Sequence, residues 1–132
     1  MLTKNRILLI DDEEDFCFFV KKNLEQNAEF AVIYTTNPDR GIKLARKAHP
    51  DLILLDVLMA KTDGFKVLEM LKNNSETLSI PVIMLTALGD EETKLKASAL
   101  YNENYITKPV TYEMLRLEIE KALLRHSYSG RR

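Results

Sequence analysis

Apolar residues in this chain come in short unbroken runs separated by longer stretches with helical periodicity. Ile7–Ile10, Phe30–Tyr34, Asp51–Leu55, Ile80–Leu85 and Tyr105–Ile106 read as five strands. Runs without polar alternation fit strands buried on both faces of a parallel sheet. Pro81 is tolerable at the start of its strand. Between the strands, apolar residues recur every three or four positions. A first helix opens on Asp11–Asp15, where acids suit the positive end of the helix. It runs to about Gln26 and buries Phe16, Phe19, Val20 and Leu24. A second starts at Asn37-Pro38, an N-cap followed by proline at the first helical position. It buries Ile42, Ala45 and Ala48 and stops at Pro50. A third starts at Gly64 and turns Phe65, Leu68 and Leu71 inward; a fourth starts at Gly89-Asp90, with Leu95, Ala97 and Ala99. Thr111 caps a fifth, whose stripe is Leu115, Ile119, Ala122 and Leu123.

Strand and helix alternate five times, at intervals of roughly 20–25 residues. That alternation predicts an α/β domain: a five-stranded parallel sheet with five helices on both faces. Such sheets most often take the order 2-1-3-4-5, with the ligand crevice between strands one and three. The domain is expected over 5–126, followed by a flexible polar tail over 127–132.

Composition narrows the class. The chain has 132 residues, 45% hydrophobic and 30% charged, with a formal net charge of -1. No global field draws it to nucleic acid or to an anionic membrane. No apolar run approaches the roughly 20 residues of a membrane span. The first strand follows the N-terminus too closely for a signal peptide. Cys17 is the sole cysteine, so a reducing, cytoplasmic setting is expected, with this thiol buried and inert. His49 and His126 lack metal-ligand spacing and read as solvated, as does the Lys43, Arg46, Lys47 face.

The chemistry gathers at the carboxyl ends of the strands, where open α/β sheets place their working residues. Strand one delivers Asp11 and Asp12, strand three Asp56, strand four Thr86 and strand five Lys108. Three carboxylates about 5 Å apart repel by roughly 3 kcal/mol per pair at an effective dielectric near 20. Protonation or a cation relieves that repulsion. Hard oxygen ligands on an open rim suit Mg²⁺. A carboxylate beside Mg²⁺ can take a phosphoryl group as an aspartyl phosphate, with a hydroxyl and an ammonium to hold its oxygens.

At this point the sequence resembles the receiver domains of two-component response regulators, the single-domain chemotaxis type included. The matching motifs are Ile-Leu-Leu-Ile-Asp-Asp-Glu at 7–13, Pro-Asp-Leu-Ile-Leu-Leu-Asp at 50–56, Asp63-Gly64, Pro-Val-Ile-Met-Leu-Thr-Ala at 81–87 and Tyr-Ile-Thr-Lys-Pro at 105–109. The resemblance implies a flavodoxin-like fold, in which the order 2-1-3-4-5 is itself known. It implies that Asp56 accepts phosphate from a histidine kinase, a phosphotransfer protein or a small phosphodonor. Asp12 would bind Mg²⁺ directly, Asp11 through water, and Asp56 and the backbone carbonyl of Leu58 would complete the metal site. Lys108 would contact the phosphoryl group, next to a Lys108–Pro109 bond that is typically cis. Thr86 and Tyr105 would form the switch, remodelling the surface of helix four, strand five and helix five for a downstream protein or an output domain.

Some positions depart from the family pattern. Ala60 stands where a proline is usual, Thr62 where a large apolar residue is frequent, and Tyr101-Asn102 where Gly-Ala is usual. Ala87, which matches the pattern, is small and is expected to leave the phosphate accessible. Leu58 and Leu88 are apolar where they could overhang it and slow attack by water. Three other functions compete. A phosphohydrolase using an aspartyl phosphate commonly has an acid two residues after its nucleophile, where this chain has Leu58. A flavin-binding sheet would need its first loop to cradle a phosphate, which Asp11–Asp15 would repel. A receiver acting only as a protein-binding module would not need the full set of site residues found here.

Overall fold

The computed structural model describes residues 4–27, 29–87, 92 and 104–130. Its elements run β1 (Asn5–Ile10), α1 (Glu14–Leu24) with a 3₁₀ turn (Glu25–Asn27), β2 (Phe30–Thr35), α2 (Pro38–Ala48), β3 (Leu52–Asp56), α3 (Gly64–Lys72), β4 (Val82–Ala87), β5 (Asn104–Lys108) and α4 (Tyr112–Gly130). The strands form one parallel sheet in the order β2-β1-β3-β4-β5, as the alternation predicts. Four α-helices lie among the described residues. The predicted fourth helix, with Leu88 and Tyr101-Asn102, lies outside them; α4 is the fifth helix of the sequence pattern. Its backbone stays helical to Gly130, past the residue-126 boundary expected from sequence. Among the described residues no helix is long and apolar enough to cross a membrane.

Side chains alternate across each strand, so an unbroken apolar run feeds two cores. Ile7, Leu9, Leu52 and Leu54 face α1 and α4, meeting Cys17, Val20, Leu24, Leu115 and Ile119. Leu8, Ile10, Ile53 and Leu55 face α2 and α3, meeting Ala45, Phe65, Leu68 and Leu71. All five residues of β3 are buried, which fits its central place in the sheet.

Local signals set the helix ends. The Asn37 side chain accepts from the backbone N–H groups of Asp39 and Arg40, at 2.9 and 3.2 Å. The Thr111 hydroxyl accepts from Met114 N–H at 3.2 Å. His49 closes α2 in the left-handed region, at φ 47°, and its carbonyl accepts from the Arg6 guanidinium at 3.0 Å.

Two expectations are corrected. The fourth strand starts at Val82, not Ile80. Pro81 has no N–H to give the ladder, and its carbonyl accepts from Ile53 N–H just before the strand begins. At its other end the strand runs past Leu85, through Thr86 to Ala87. The buried stripe of α1 is Cys17, Val20 and Leu24. Phe16 is only partly buried and Phe19 is 37% exposed, because both turn toward the edge of the sheet where the acids gather.

β2 is an edge strand. The N–H of Val32 donates to Glu25 Oε2 at 2.9 Å, and its carbonyl accepts from Lys21 Nζ at 2.8 Å. Lys21 and Glu25 also pair with each other at 3.0 Å.

Gly41 lets α2 close onto β1. A Cβ there would lie 2.6 Å from Cδ1 and 2.8 Å from Cγ1 of the fully buried Ile10. Gly41→Ala is therefore expected to destabilise the fold by roughly 1–3 kcal/mol through overpacking. Urea denaturation should show a lower midpoint at unchanged slope; an unchanged midpoint would show that Ile10 has room to move.

Candidate functional site

The parallel register brings the acids together. Ile10 pairs with Leu55, so the next residues, Asp11 and Asp56, leave the core side by side. One carboxylate oxygen from each of Asp11, Asp12 and Asp56 can be chosen so that all lie within 4.8 Å of one another. Asp11 is fully buried, Asp56 is 6% exposed and Asp12 is exposed. β4 and β5 bring the other two groups. Thr86 pairs with Thr107 and Ala87 with Lys108, so both expected side chains come from this edge of the sheet.

Lys108 is the cation of the site. Its Nζ lies 2.7 Å from Asp11 Oδ2 and 2.8 Å from Glu13 Oε1. It also sits 4.3 Å from the centroid of the Phe16 ring, a cation–π contact. Burial works against its charge, but the bonds to Asp11 and Glu13 outweigh that and raise its pKa. The Lys108–Pro109 bond is cis.

The acids are held less comfortably. Asp11 Oδ1 accepts from Glu13 N–H at 2.9 Å. Its buried Oδ2 is paired with the Lys108 ammonium. Burial raises the Asp11 pKa despite Lys108. Burial, then the charge of Asp11, pushes Asp56 up to about 7, with Lys108 opposing and Asp12 adding to the rise. Asp12 Oδ2 accepts from Ala60 N–H at 2.7 Å. Cys17 donates to the Asp11 carbonyl at 3.3 Å, and burial beside these acids pushes its thiol up to about 12. The thiol is buried, as expected.

A cavity of about 540 Å³ opens over Asp56, lined also by Asp12, Glu13, Phe16, Phe19, Leu58, Ala87, Lys108, Pro109 and Val110. Leu58 stands at its mouth, 67% exposed. Thr86 is buried outside that lining, and its hydroxyl donates to the Ile106 carbonyl at a long 3.5 Å. Tyr105 is 42% exposed and lines a second hollow with Thr111, Met114 and Glu118.

Residues 7–120 match the response regulator receiver domain family. The chain belongs to that family. It is 38% identical over 122 residues to the DNA-binding dual master transcriptional regulator RpaA of Synechocystis, covering 92% of this chain and 50% of that protein. It is 35% identical to the alkaline phosphatase synthesis transcriptional regulatory protein PhoP of Bacillus subtilis, covering 92% and 49%. The chain thus spans about half the length of these relatives. Among solved structures, chemotaxis response regulator CheY4 of Vibrio cholerae aligns with a TM-score of 0.82 and 26% identity, covering 91% of this chain and 99% of that one. NtrX of Brucella abortus aligns with a TM-score of 0.87 at 24% identity, covering 98% and 29%, a likeness of fold alone.

The receiver domain's acid cluster fits a divalent cation on its own chemistry. Three hard carboxylates meet within 4.8 Å, and the one ammonium that faces them is shared with Glu13. Three partners escaped the sequence reading. Glu13 holds Lys108, Phe16 lies under it, and a main-chain N–H holds Asp12. For Glu13, the run of acids after the first strand was the available signal; a backbone donor from a distant loop leaves none.

Because the Asp56 pKa is raised from 3.8 to about 7, its contribution to stability is full below pH 3.8 and lost as pH rises through 7. Asp11, Asp12 and Lys108 face it throughout. In chelator, receiver stability should fall across that window. Asp56→Asn should flatten the fall and be more stable at pH 8 by on the order of 2 kcal/mol. Equal or lower stability of the variant at pH 8 would contradict the burial of charge inferred here.

Proposed function

We propose that this receiver domain is a phosphorylation-switched signalling module with Asp56 as the phosphoacceptor. The observation that carries this is the meeting of Asp56 with Asp11 and Asp12 beside Lys108, with Asp12, Asp56 and Lys108 lining one cavity. The donor is the phosphohistidine of a sensor histidine kinase or phosphotransfer protein, or a small phosphodonor. An Asp56 carboxylate oxygen forms the new O–P bond as the donor's bond to phosphorus breaks: the P–N bond of a phosphohistidine, whose imidazole nitrogen leaves and takes up a proton, or the P–O bond of an acyl phosphate, whose carboxylate leaves.

Asp12, Asp56 and the Leu58 carbonyl would hold Mg²⁺, with Asp11 acting through water, and the ion supplies positive charge between two anionic reactants. Lys108 is the second positive group, and its place in the cavity wall supports a role in holding phosphoryl oxygens. Thr86 gives up little when it turns from Ile106 to the phosphoryl group, because a 3.5 Å hydrogen bond is weak. Tyr105 then moves from its exposed position, and the face around β5 and its flanking helices changes for a downstream protein or an output domain.

On this reading the working unit, which runs from residue 5 through α4, acts in the cytoplasm. It catalyses only its own phosphorylation and dephosphorylation, and it makes no direct nucleic-acid or membrane contact. Leu58, exposed at the cavity mouth, hinders water.

Incubation with acetyl phosphate and Mg²⁺ should add one phosphoryl mass, lost in Asp56→Asn; no gain in a folded wild type would refute the proposal. Leu58→Asn should shorten the phosphorylated lifetime severalfold. A lifetime unchanged or lengthened would remove the shielding role of Leu58.

A further inference from the structure

The cavity over Asp56 has two kinds of lining. Asp12, Glu13, Asp56 and Lys108 are charged; Phe16, Phe19, Leu58, Pro109 and Val110 are apolar. The apolar residues come from three separate segments: α1, the loop after β3 and the loop after β5. Charge suffices for phosphoryl transfer. Phe16 supports Lys108 and Leu58 stands at the mouth, but Phe19 has no part in that chemistry. It belongs to neither core, and it is 37% exposed.

Phe16 and Phe19 form a tilted pair, with ring centroids 6.3 Å apart and planes at 36°. The first ring also carries the Lys108 ammonium, 4.3 Å from its centroid. Aromatic surface thus begins where the cation of the site ends. The cavity, about 540 Å³, falls within the roughly 300–1,000 Å³ of small-molecule sites, which are mostly apolar with a few placed polar groups. Wet apolar surface beside a reacting centre can bind the part of a substrate that does not react.

We infer that the cavity selects small phosphodonors by their tails, and takes acyl phosphates whose acyl group is uncharged and apolar, aryl above alkyl. This rests on reading Asp56 as the phosphoacceptor. An Asp56 oxygen bonds to phosphorus as the P–O bond to the acyl oxygen breaks. The acyl group leaves as a carboxylate with that electron pair, and no further reactant is needed. The tail lies against Phe16, Phe19 and Leu58 while Lys108 holds phosphoryl oxygens. It is uncharged because Asp12 and Glu13 share the lining and repel an anion. The same two acids repel the carboxylate as it forms, which favours its departure.

Two measurements on the full chain test this. The first compares initial rates of phosphorylation by benzoyl phosphate and acetyl phosphate, at equal subsaturating concentration with Mg²⁺. The benzoyl-to-acetyl ratio should be about tenfold higher in the wild type than in Phe19→Ser, since one methylene in an apolar pocket already shifts specificity by about 10–200-fold. Comparing ratios between variants cancels the intrinsic reactivity of the donors. Phe19→Leu, which keeps apolar surface, should stay within about threefold of the wild type by the same reasoning. Phe18 is 59% exposed on the same helix and outside the lining, so Phe18→Ser should keep the wild-type ratio. One ratio shared by wild type and Phe19→Ser, or an equal loss in Phe18→Ser, overturns the inference. The second measurement needs no variant. Benzoylphosphonate and acetylphosphonate have a C–P bond and cannot transfer; in chemical-shift titrations the benzoyl compound should bind about tenfold more tightly. Equal affinities overturn the inference. Selective binding in a wild type that accepts phosphate from neither donor overturns the reading of Asp56 as acceptor, and the donor role of the cavity with it.

Discussion

Repulsion among Asp11, Asp12 and Asp56 is the constraint around which this domain is built. A parallel sheet with β1 beside β3 leaves no other place for Asp11 and Asp56 than next to each other. The cores on either face then bury them, which makes the unpaired charge costly. One ammonium, Lys108, answers part of the excess, and Glu13 takes a share of that ammonium. What remains is a negative pocket at the floor of an open cavity. Hard oxygen groups gathered in such a pocket suit a divalent cation.

The same sheet links that chemistry to a surface. Thr86 on β4 bonds across to the backbone of β5, and Tyr105 stands one residue before the carbonyl it uses. Thr86 is thus tied directly to β5, with no residue between. That contact is long, at 3.5 Å, and correspondingly weak.

Much of this was legible in the residues. Continuous apolar runs marked doubly covered strands. Asn37 and Thr111 marked helix starts, and Leu115, Ile119 and Ala122 marked a buried stripe. The trio of acids followed from strand ends alone. Boundaries were less legible, since the run at Ile80 looks like strand until the missing N–H of Pro81 is set against its neighbours. The α1 aromatics misled for a different reason. Helical spacing says which residues share a face, but not that this face extends beyond the sheet to wall a cavity. The tie between Ala60 and Asp12 was out of reach, because a backbone donor has no side-chain signature.

The arrangement on β2 has a consequence for behaviour in crowded solution. An outer strand offers unpaired amides and carbonyls that a strand from another molecule can zip onto, the first step toward fibrils. At Val32, Lys21 and Glu25 occupy the outward amide and carbonyl with a salt-bridged pair, leaving an incoming chain nothing to join at that point. The domain thereby carries a local guard against self-association along its open margin.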